Sequence, residues 1–259
     1  MPNDPQPLAG RHALVTGGGR GIGAAIATAL AGAGARVTLL ARNADELGAT
    51  AIAIGRTTVT VTADVTDPAQ VERAFAEARE AAGPIDILVN NAGLAKSRPL
   101  AKTDEAFWRA ILEVNLTGAY HCTRAALPAM LAANRGRIVN VASTAGLRGY
   151  AYCTAYCAAK HGLVGFTRAL ALEVAKTGVT VNAVCPGYTD TGIVREAVRA
   201  ISEKTARSEA EARESLVSFN PQQRLVQPEE VANAVLWLCS PGSESMNGQS
   251  LAIAGGEVT

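Results

Sequence analysis

The sequence predicts an α/β fold: a doubly wound parallel sheet covered by helices on both faces. Apolar runs rich in β-branched residues recur along most of the chain, and Ala-rich stretches with helical periodicity separate them. Strands that are apolar throughout are typical of parallel sheets buried on both faces. The alternation of strand and helix supplies the crossovers that parallel pairing requires. Nothing marks a linker or an internal repeat, so we expect residues 1–259 to form a single domain.

The predicted elements alternate in order along the chain. The strands are short apolar runs, at His12–Thr16, Arg36–Leu40, Thr58–Thr62, Ile85–Val89, Arg137–Val141, Thr180–Val184 and Ser250–Ile253. The helices are longer, mostly Ala-rich stretches, at Gly21–Ala33, Ala44–Ala53, Pro68–Ala82, Asp104–Ala133, Thr154–Lys176 and Pro228–Leu238. Because a helix separates every two consecutive strands, the strands are predicted to lie parallel in one sheet.

One segment departs from this alternation. It comprises about thirty polar, charge-rich residues, at 190–219, between the sixth strand and the last helix. A structureless loop of that length is uncommon inside a compact domain, so we expect a helical substrate lid at about 190–219. A mobile surface excursion is the alternative.

Composition and charge exclude several classes of function. Hydrophobic residues make up 48% of the chain and charged residues 18%, and the formal net charge is +1. With neither sign of charge dominant, the chain is not expected to bind nucleic acid or an anionic membrane. The longest apolar stretches, such as 125–133, are too short to span a bilayer. The N-terminal residues lack the basic and apolar regions of a signal peptide, which indicates a cytoplasmic protein.

The cysteines give no sign of a metal or disulfide framework. There are five, at Cys122, Cys153, Cys157, Cys185 and Cys239. Their number is odd, and no Cys-x-x-Cys or Cys/His pattern offers metal-ligand spacing. We therefore expect reduced thiols and no metal site.

A glycine-rich turn follows the first predicted strand and opens the first helix. It reads Thr16-Gly17-Gly18-Gly19-Arg20-Gly21-Ile22-Gly23. Glycines allow a tight turn and let backbone N–H groups reach a diphosphate at the positive end of the helix dipole. In this position the turn predicts a nucleotide-binding site.

The end of the second strand indicates which dinucleotide binds. NAD-binding proteins place an Asp or Glu there, roughly 20 residues past the glycines, to bond the ribose 2′-hydroxyl. This chain has Leu40-Ala41-Arg42-Asn43 instead, without a carboxylate. Arg42, helped by Arg20, could pair with a 2′-phosphate in fork geometry. We therefore favour NADP(H) as cofactor, with NAD(H) as the alternative if Arg42 is only a solvated charge.

Three residues predict acid–base chemistry. Tyr156 and Lys160 are four residues apart, about one helical turn, and Ser143 lies thirteen residues upstream. An ammonium group beside a phenol favours the phenolate and should lower the phenol's pKa from about 10 toward neutrality. A nearby hydroxyl could hold a substrate oxygen while the phenol donates or removes its proton. Such a site would act on an alcohol or a ketone.

With these motifs in this order, residues 9–256 strongly resemble the short-chain dehydrogenase/reductase family. The matching motifs are Thr16-Gly17-x-x-x-Gly21-x-Gly23, Asp64-Val65, Asn90-Asn91-Ala92-Gly93, Asn115, Ser143, Tyr156-x-x-x-Lys160 and Pro186-Gly187. The resemblance implies a Rossmann-like fold and an NAD(P)-dependent oxidoreductase. It also implies a homotetramer, since the helix predicted at Asp104–Ala133 forms part of a tetramer interface in this family.

The resemblance also implies the role of each matching residue. Tyr156 would be the catalytic acid/base, Ser143 would orient the substrate, Lys160 would bond the nicotinamide ribose and lower the tyrosine pKa, and Asn115 would anchor a water that relays protons. Asp64 and Val65 would contact adenine, Asn91 to Gly93 the adenosine ribose, and Thr189 and Thr191 the nicotinamide carboxamide. The full predicted cofactor set is Gly17, Gly19, Arg20, Gly21, Ile22, Gly23, Arg42, Asp64, Val65, Asn91, Ala92, Gly93, Tyr156, Lys160, Pro186, Gly187, Thr189 and Thr191.

Within the family, the nearest likeness is to 3-oxoacyl thioester reductases, polyketide ketoreductases and 3-hydroxyacyl dehydrogenases. The expected substrate is thus a small carbonyl compound or alcohol, such as a 3-oxoacyl or 3-hydroxyacyl (thio)ester. Docking of an acyl carrier protein is not expected, because Pro128 and Leu172 stand where carrier-dependent reductases carry basic residues. An NAD(H)-dependent secondary-alcohol or hydroxybutyrate-type dehydrogenase is the alternative. Two less favoured alternatives are an isomerase or dehydratase and a non-catalytic nucleotide-binding regulator.

Overall fold

The strands of this protein form one parallel sheet. The structure is a computed structural model, which describes residues 6–55, 58–205 and 207–258. Its seven strands lie in the order β3-β2-β1-β4-β5-β6-β7, and every neighbouring pair is parallel. The predicted doubly wound α/β sheet is therefore confirmed.

The bounds of most elements agree with the predicted ones to within a few residues. The strands are β1 His12–Thr16, β2 Arg36–Ala41, β3 Thr58–Thr62, β4 Ile87–Asn90, β5 Gly136–Val141, β6 Val179–Pro186 and β7 Ser250–Ile253. The helices are α1 Gly21–Gly32, α2 Ala44–Ile54, α3 Pro68–Ala82, α4 Glu105–Leu112, α5 Gly118–Ala132, α6 Thr154–Glu173, α7 Gly192–Thr205, α8 Glu209–Val217 and α9 Pro228–Cys239. The largest strand difference is at β6, which extends to Pro186 because β7 pairs with its final residues.

The strand order creates a crevice at the carboxyl edge of the sheet. From β1 the chain proceeds outward to β2 and β3, and it then returns to β4 on the other side of β1. The connections after β1 and β4 therefore leave the sheet in opposite directions. In open α/β sheets, ligands bind at such a switch point, outside the carboxyl ends of the strands.

The core explains why the strands are apolar throughout. Leu14 and Val15 are neighbours on β1 and both fully buried, yet they belong to different clusters, because successive side chains of a strand point to opposite faces. Val15 packs with residues of α1, such as Ile26 and Leu30, and with residues of α9. Leu14 packs on the other face with residues of α3, such as Phe75. Helices thus cover both faces of the sheet.

The helix predicted at Asp104–Ala133 is interrupted. Residues Glu113–Thr117 form a turn of π-helix between α4 and α5. Asn115, within that turn, donates through its side chain to the carbonyl of Ile111 at 2.9 Å, the acceptor that a regular helix reserves for the backbone N–H of residue 115. The same amide exchanges two hydrogen bonds with the backbone of Leu94, at 2.8 and 3.2 Å. These contacts with a distant loop account for the wider turn, which the local sequence pattern does not reveal.

The segment at 190–219 contains two helices, α7 and α8, as the sequence predicted. They pack against each other through a small apolar cluster that includes Val194, Val198, Ala212 and Leu216. Ser208 starts α8 with a capping box, in which its hydroxyl and the Glu211 carboxylate satisfy the first backbone N–H groups.

Within the described residues, no helix is long and apolar enough to cross a membrane.

Candidate active site

The glycine turn forms a cradle at the start of α1. Gly17 and Gly21 have positive φ values of 63° and 53°, which side chains with a Cβ rarely adopt. A Cβ on Gly23 would overlap the carbonyl oxygen of Gly17 and lie 2.5 Å from the side-chain nitrogen of Asn91. These positions therefore require glycine, and the tight turn that they form lies at the start of α1, where a helix binds a diphosphate.

Two polar side chains hold this cradle in place. Asn91 donates to the carbonyls of Thr16 and Gly17, at 2.9 and 3.1 Å. The hydroxyl of Thr16 accepts the backbone N–H groups of Asn91 and Ala92, both at 3.0 Å, and donates to the carbonyl of Val89. Asn91, the first residue after β4, thus links the end of that strand to the glycine turn. The sequence reasoning did not assign this role. Thr16 was missed as a site residue, although it directly precedes the glycines.

The remaining predicted residues of the turn are tightly packed. A Cβ on Gly19 would lie 3.1 Å from Cβ of Glu46 on α2. Ile22, the second residue of α1, is partly buried and packs against the core. These contacts fix the turn against α2 and the sheet.

Two exposed arginines flank the end of β2. The Arg42 side chain is 76% exposed and lies 3.6 Å from a carboxylate oxygen of Asp64. Arg20 is 61% exposed and lies at the same distance from Glu46. Exposed ion pairs of this kind contribute only about 0–1 kcal/mol. Both guanidinium groups can therefore exchange their present partners for a more strongly charged one.

The adenine contacts predicted at Asp64 and Val65 lie just beyond β3. The second Asp64 oxygen accepts two hydrogen bonds from Thr66, at 2.8 and 2.9 Å. Val65 is buried, and a Cβ on Gly118 would approach its side chain to 2.7 Å. The glycine at the start of α5 therefore lets Val65 fit against that helix.

Ser143, Tyr156 and Lys160 come together at the carboxyl edge. Ser143 follows β5 and accepts the backbone N–H of Ala145 at 3.1 Å, which orients its hydroxyl at the start of a short turn. Its hydroxyl is close enough to Tyr156 to lower the pKa of that phenol. The ammonium nitrogen of Lys160 lies 5.7 Å from the centre of the Tyr156 ring. The spacing of four residues on α6 thus places the phenol and the ammonium on one face.

Lys160 is held by the backbone of the sheet. It is 4% exposed and donates to the carbonyl of Val141 at 2.8 Å. A Cβ on Gly93 would lie 3.8 Å from its nitrogen and 3.1 Å from the side-chain oxygen of Asn115. Burial lowers the pKa of Lys160 to about 8. The π-turn therefore brings Asn115 to the same pocket as Lys160.

The pKa of Tyr156 differs from the sequence-based expectation. Burial raises it to about 12, and the hydrogen bond with Ser143 opposes only part of that rise. The expected lowering by Lys160 is not seen, because the buried ammonium is directed at the Val141 carbonyl. Tyr156 therefore holds its proton firmly at neutral pH.

The turn after β6 faces the glycine cradle. Thr189 donates to the carbonyl of Gly187 at 3.0 Å, and Thr191 donates to the carbonyl of Thr189 at 3.3 Å. The methyl group of Thr191 lies 3.2 Å from where a Cβ on Gly21 would stand. The segment that begins with Pro186 thus closes the crevice from the side opposite β1.

Sequence reasoning missed an aromatic wall beside Tyr156. The rings of Tyr150, Tyr188 and Phe219 pack against one another with centroid separations of 5.6–6.4 Å. The pKa of Tyr188 is raised to about 12, first by burial and then by nearby groups that include Glu257 and Tyr156. Tyr188 could have been noticed from its place after Pro186-Gly187. The other members come from distant parts of the chain, and no local pattern marks them.

Among the residues that the structure describes, no group of three or more His, Cys, Asp or Glu side chains could hold a metal ion. Cys153 and Cys157, which flank Tyr156, are free thiols.

The geometry groups a phenol, an adjacent hydroxyl and a buried ammonium at the carboxyl edge of the sheet, beside the glycine turn. Residues 11–202 match the sequence profile of the family described as short chain dehydrogenase. The chain belongs to this family and is an oxidoreductase of it, as the sequence resemblance predicted.

Individual relatives are similar over nearly their whole length. A putative ketoacyl reductase of Streptomyces coelicolor is 41% identical over 249 residues, which cover 94% of this chain and 95% of the relative. The D-beta-hydroxybutyrate dehydrogenase of Cupriavidus necator is 40% identical over 255 residues, covering 97% and 99%. A crystal structure of an actinorhodin polyketide ketoreductase variant with NADPH superposes with a TM-score of 0.92 at 40% identity, covering 95% of this chain and 97% of that one.

Proposed function

We propose that this protein transfers a hydride between NADP(H) and a ketone or secondary alcohol. The observation that carries the proposal is the grouping of Ser143, Tyr156 and Lys160 at the carboxyl edge, next to the cradle formed by Gly17, Gly21 and their neighbours. The dinucleotide, when bound, supplies the hydride; the protein supplies position and a proton.

The chain's own residues fit the reductive direction. Burial raises the pKa of Tyr156 to about 12, so the phenol carries its proton at neutral pH, as a general acid must. The Ser143 hydroxyl, oriented by its turn, can hold the ketone oxygen beside that phenol. Lys160, whose pKa burial lowers to about 8, keeps mostly its ammonium form at neutral pH and supplies positive charge close to the developing alkoxide.

The choice of NADP(H) rests on the end of β2. Arg42 is exposed and only loosely paired, and no carboxylate stands beside it on the strand. Its fork of donors suits a 2′-phosphate, and Arg20 lies on the adjoining turn. The solved relative that contains NADPH supports the same choice.

Substituting Arg42 tests the cofactor choice. Arg42→Asp removes a charge-assisted hydrogen bond worth roughly 1.5–3 kcal/mol and sets a carboxylate against the phosphate. We expect the NADPH/NADH ratio of kcat/KM to fall at least about tenfold. Arg36→Asp, a change to another arginine on the amino end of the same strand, should leave the ratio unmoved. An unchanged ratio in the Arg42 variant, or a wild type that prefers NADH, would contradict the choice.

For the substrate we propose a 3-oxoacyl or 3-hydroxyacyl (thio)ester or a related carbonyl compound. The name of the Streptomyces relative, a putative ketoacyl reductase, supports this class. Docking of an acyl carrier protein is not part of the proposal. Pro128 and Leu172 are both exposed and uncharged, so neither can pair with an acidic carrier.

An NAD(H)-dependent secondary-alcohol or hydroxybutyrate-type dehydrogenase is the second candidate. The D-beta-hydroxybutyrate dehydrogenase relative favours it. A regulator without turnover is disfavoured because Ser143, Tyr156 and Lys160 are all present. No observation favours an isomerase or a dehydratase.

We also propose a homotetramer in the cytoplasm. Leu131, Leu172 and Trp237 expose 40%, 80% and 49% of their surface on α5, α6 and α9, which is unusual for large apolar side chains. Contacts between subunits would cover them. Light scattering at micromolar concentration should give a tetrameric mass, and a monomeric mass would contradict the proposal.

The direct test of the function is NADPH oxidation with a panel of ketones. The panel comprises acetoacetyl-CoA, β-keto esters, aryl ketones and polyol-derived ketones, each also measured with NADH. We expect NADPH-dependent reduction of at least one 3-oxo compound. Failure of every ketone with both cofactors, in a folded protein that binds NADPH, would remove the proposed function.

A further inference from the structure

A single carboxylate stands within the aromatic wall of the active site. Glu257, four residues past β7, hydrogen-bonds to the hydroxyl of Tyr150, and that contact joins positions 107 residues apart. Tyr150 packs edge-on against Tyr188, and the nearby Glu257 is one cause of the raised pKa of Tyr188. The carboxylate therefore lies at the aromatic wall beside Tyr156.

The hydrogen bonds around Tyr150 are those that an ionised Glu257 carboxylate would make. Tyr150 lies within hydrogen-bond distance of both Glu257 and the hydroxyl of Thr144, the latter at 2.7 Å. A phenol has one proton, and an ionised carboxylate can only accept. Tyr150 therefore donates to Glu257 and accepts from Thr144, which directly follows Ser143. One oxygen of Glu257 is thus tied to the turn that holds the substrate-orienting serine.

The other oxygen of Glu257 has no partner. It is buried, and it makes no hydrogen bond among the residues that the structure describes. It lies 2.8 Å from where a Cβ on Gly187 would stand, so the glycine at the carboxyl end of β6 leaves room for it. A buried carboxylate oxygen without a donor is costly, and its charge is not offset by a hydrogen bond within the described residues.

Arg148 compensates the charge of this carboxylate only in part. Its guanidinium lies over the outer side of the Tyr150 ring, 5.1 Å from the ring centre. It donates at 3.4 Å to the backbone carbonyl of Glu257, and within the described part of the chain it forms no ion pair with the Glu257 side chain. Arg148 is exposed, so solvent screens its charge, and burial raises the pKa of Glu257 by more than Tyr150 and Arg148 together lower it.

We propose that Glu257 determines substrate specificity through the charge of its unpartnered oxygen. Its negative charge, linked through Tyr150 to Thr144 beside Ser143, repels a substrate that carries a carboxylate next to the reacting carbonyl. The inference rests on the proposed function and narrows it. The substrates are uncharged near the ketone, as esters, thioesters, hydroxyketones and aminoketones are, and free 3-oxo acids are excluded.

A matched pair of ketones separates charge from shape. Methyl acetoacetate and acetoacetate differ at the group beside the ketone, which is a neutral ester in one and an anion in the other. Like charges brought together in a desolvated site weaken binding by tenfold or more. We expect wild-type kcat/KM for the ester to exceed that for the acid by at least about tenfold.

Two variants of Glu257 distinguish an effect of its charge from an effect of its size or structural role. Glu257→Gln keeps the size and can still accept from Tyr150 but loses the charge, so the ester/acid ratio should fall at least about tenfold. Glu257→Asp keeps the charge on a shorter side chain and should keep the exclusion of the acid. Glu229→Gln, at an exposed position on α9, is the control and should keep the wild-type ratio. If the role of Glu257 were merely structural, kcat/KM would fall for both substrates together and the ester/acid ratio would stay unchanged.

Binding provides a readout that does not depend on turnover. The NADPH-loaded protein is titrated with methyl 3-hydroxybutyrate and with 3-hydroxybutyrate, followed by ligand-observed NMR. Wild type should bind the ester more tightly, and Glu257→Gln should bind both alike. Equal ratios in wild type and Glu257→Gln, a wild-type preference for the acid, or binding of neither compound would overturn the inference. If no ketone is reduced but the binding difference holds, the proposed reaction fails and the role of Glu257 stands.

Discussion

The two edges of the parallel sheet carry polar clusters that differ in how they are satisfied. At the amino edge, the carboxylate of Asp86 accepts from the backbone of His12 and, in a fork, from Arg135 at 2.6 and 2.9 Å. Both ring nitrogens of His12 have partners at 2.8 Å, the carbonyl of Gly83 and the hydroxyl of Thr38. The cluster uses its hydrogen-bonding capacity within the protein.

At the carboxyl edge, some hydrogen-bonding and charged groups lack strong partners within the described residues. One oxygen of Glu257 lacks a donor among the described residues, Arg42 is mostly exposed, and the glycine turn lies at the start of α1. Tyr156 and Lys160 are both shifted in pKa by burial itself. The comparison shows that buried polar groups alone do not mark a site. Groups whose partners are incomplete, placed at the switch point of the sheet, do.

The largest effect is expected at the carboxyl edge. Tyr156→Phe keeps the ring and removes the proton, so ketone reduction should fall by about 10²–10⁴-fold with little change in NADPH affinity. Steady-state kinetics and a fluorescence titration measure the two quantities. Tyr120→Phe, at an exposed tyrosine, should leave both unchanged. Retention of more than a tenth of the wild-type kcat by the Tyr156 variant would show that the acid is another group.

A change at the amino edge should affect stability and leave the chemistry intact. Asp86→Asn weakens the fork with Arg135, and the free energy of unfolding should fall by about 1–3 kcal/mol. The kcat/KM of the folded enzyme should stay within about twofold of wild type. Urea unfolding and kinetics measure the two, with Glu77→Gln on the exposed face of α3 as the control. A large loss of kcat/KM at unchanged stability would contradict the assignment of stability to the amino edge and chemistry to the carboxyl edge.

The smallest effect is the pH dependence of the amino edge. Burial, the largest cause, lowers the pKa of His12 below its ordinary 6.5. The unfolded chain therefore takes up a proton at pH values where folded His12 stays neutral. Stability should be full above pH 6.5 and should fall below it, by at most about 1.4 kcal/mol per pH unit, until the folded pKa is reached.

This dependence is measured by urea unfolding at several pH values in wild type and His12→Asn. Other groups titrate in both proteins, so the difference between the two curves isolates His12. His161→Asn, at an exposed histidine, should follow wild type. Parallel curves for wild type and His12→Asn would mean that His12 does not contribute.

The fold was predictable because its signals are local. Each strand and most helices are marked by their own residues, and the glycine turn and the Tyr156–Lys160 spacing are fixed by sequence separations of a few residues. The π-turn at Asn115 was not predictable, since it depends on hydrogen bonds with Leu94. The same holds for Glu257, which meets Tyr150 only through the fold.

The pKa of Tyr156 was mispredicted for a different reason. The spacing of Tyr156 and Lys160 indicated two groups on one face, and they are on one face. It could not indicate how deeply the phenol is buried or that Lys160 is directed at the carbonyl of Val141. Burial outweighs the nearby charge here, and burial is a property of the whole fold.

Hydrogen exchange with and without NADPH tests the contrast between the edges most directly. Saturating NADPH should slow amide exchange in 16–23, 91–93 and 187–191, at the carboxyl edge, because bound backbone N–H groups are protected. Peptides covering 83–86 and 135–137, at the amino edge, should exchange as they do in the free protein. Protection confined to the carboxyl edge is the predicted result. No protection there, or equal protection at both edges, would contradict the assignment of the open polar edge as the cofactor and reaction site.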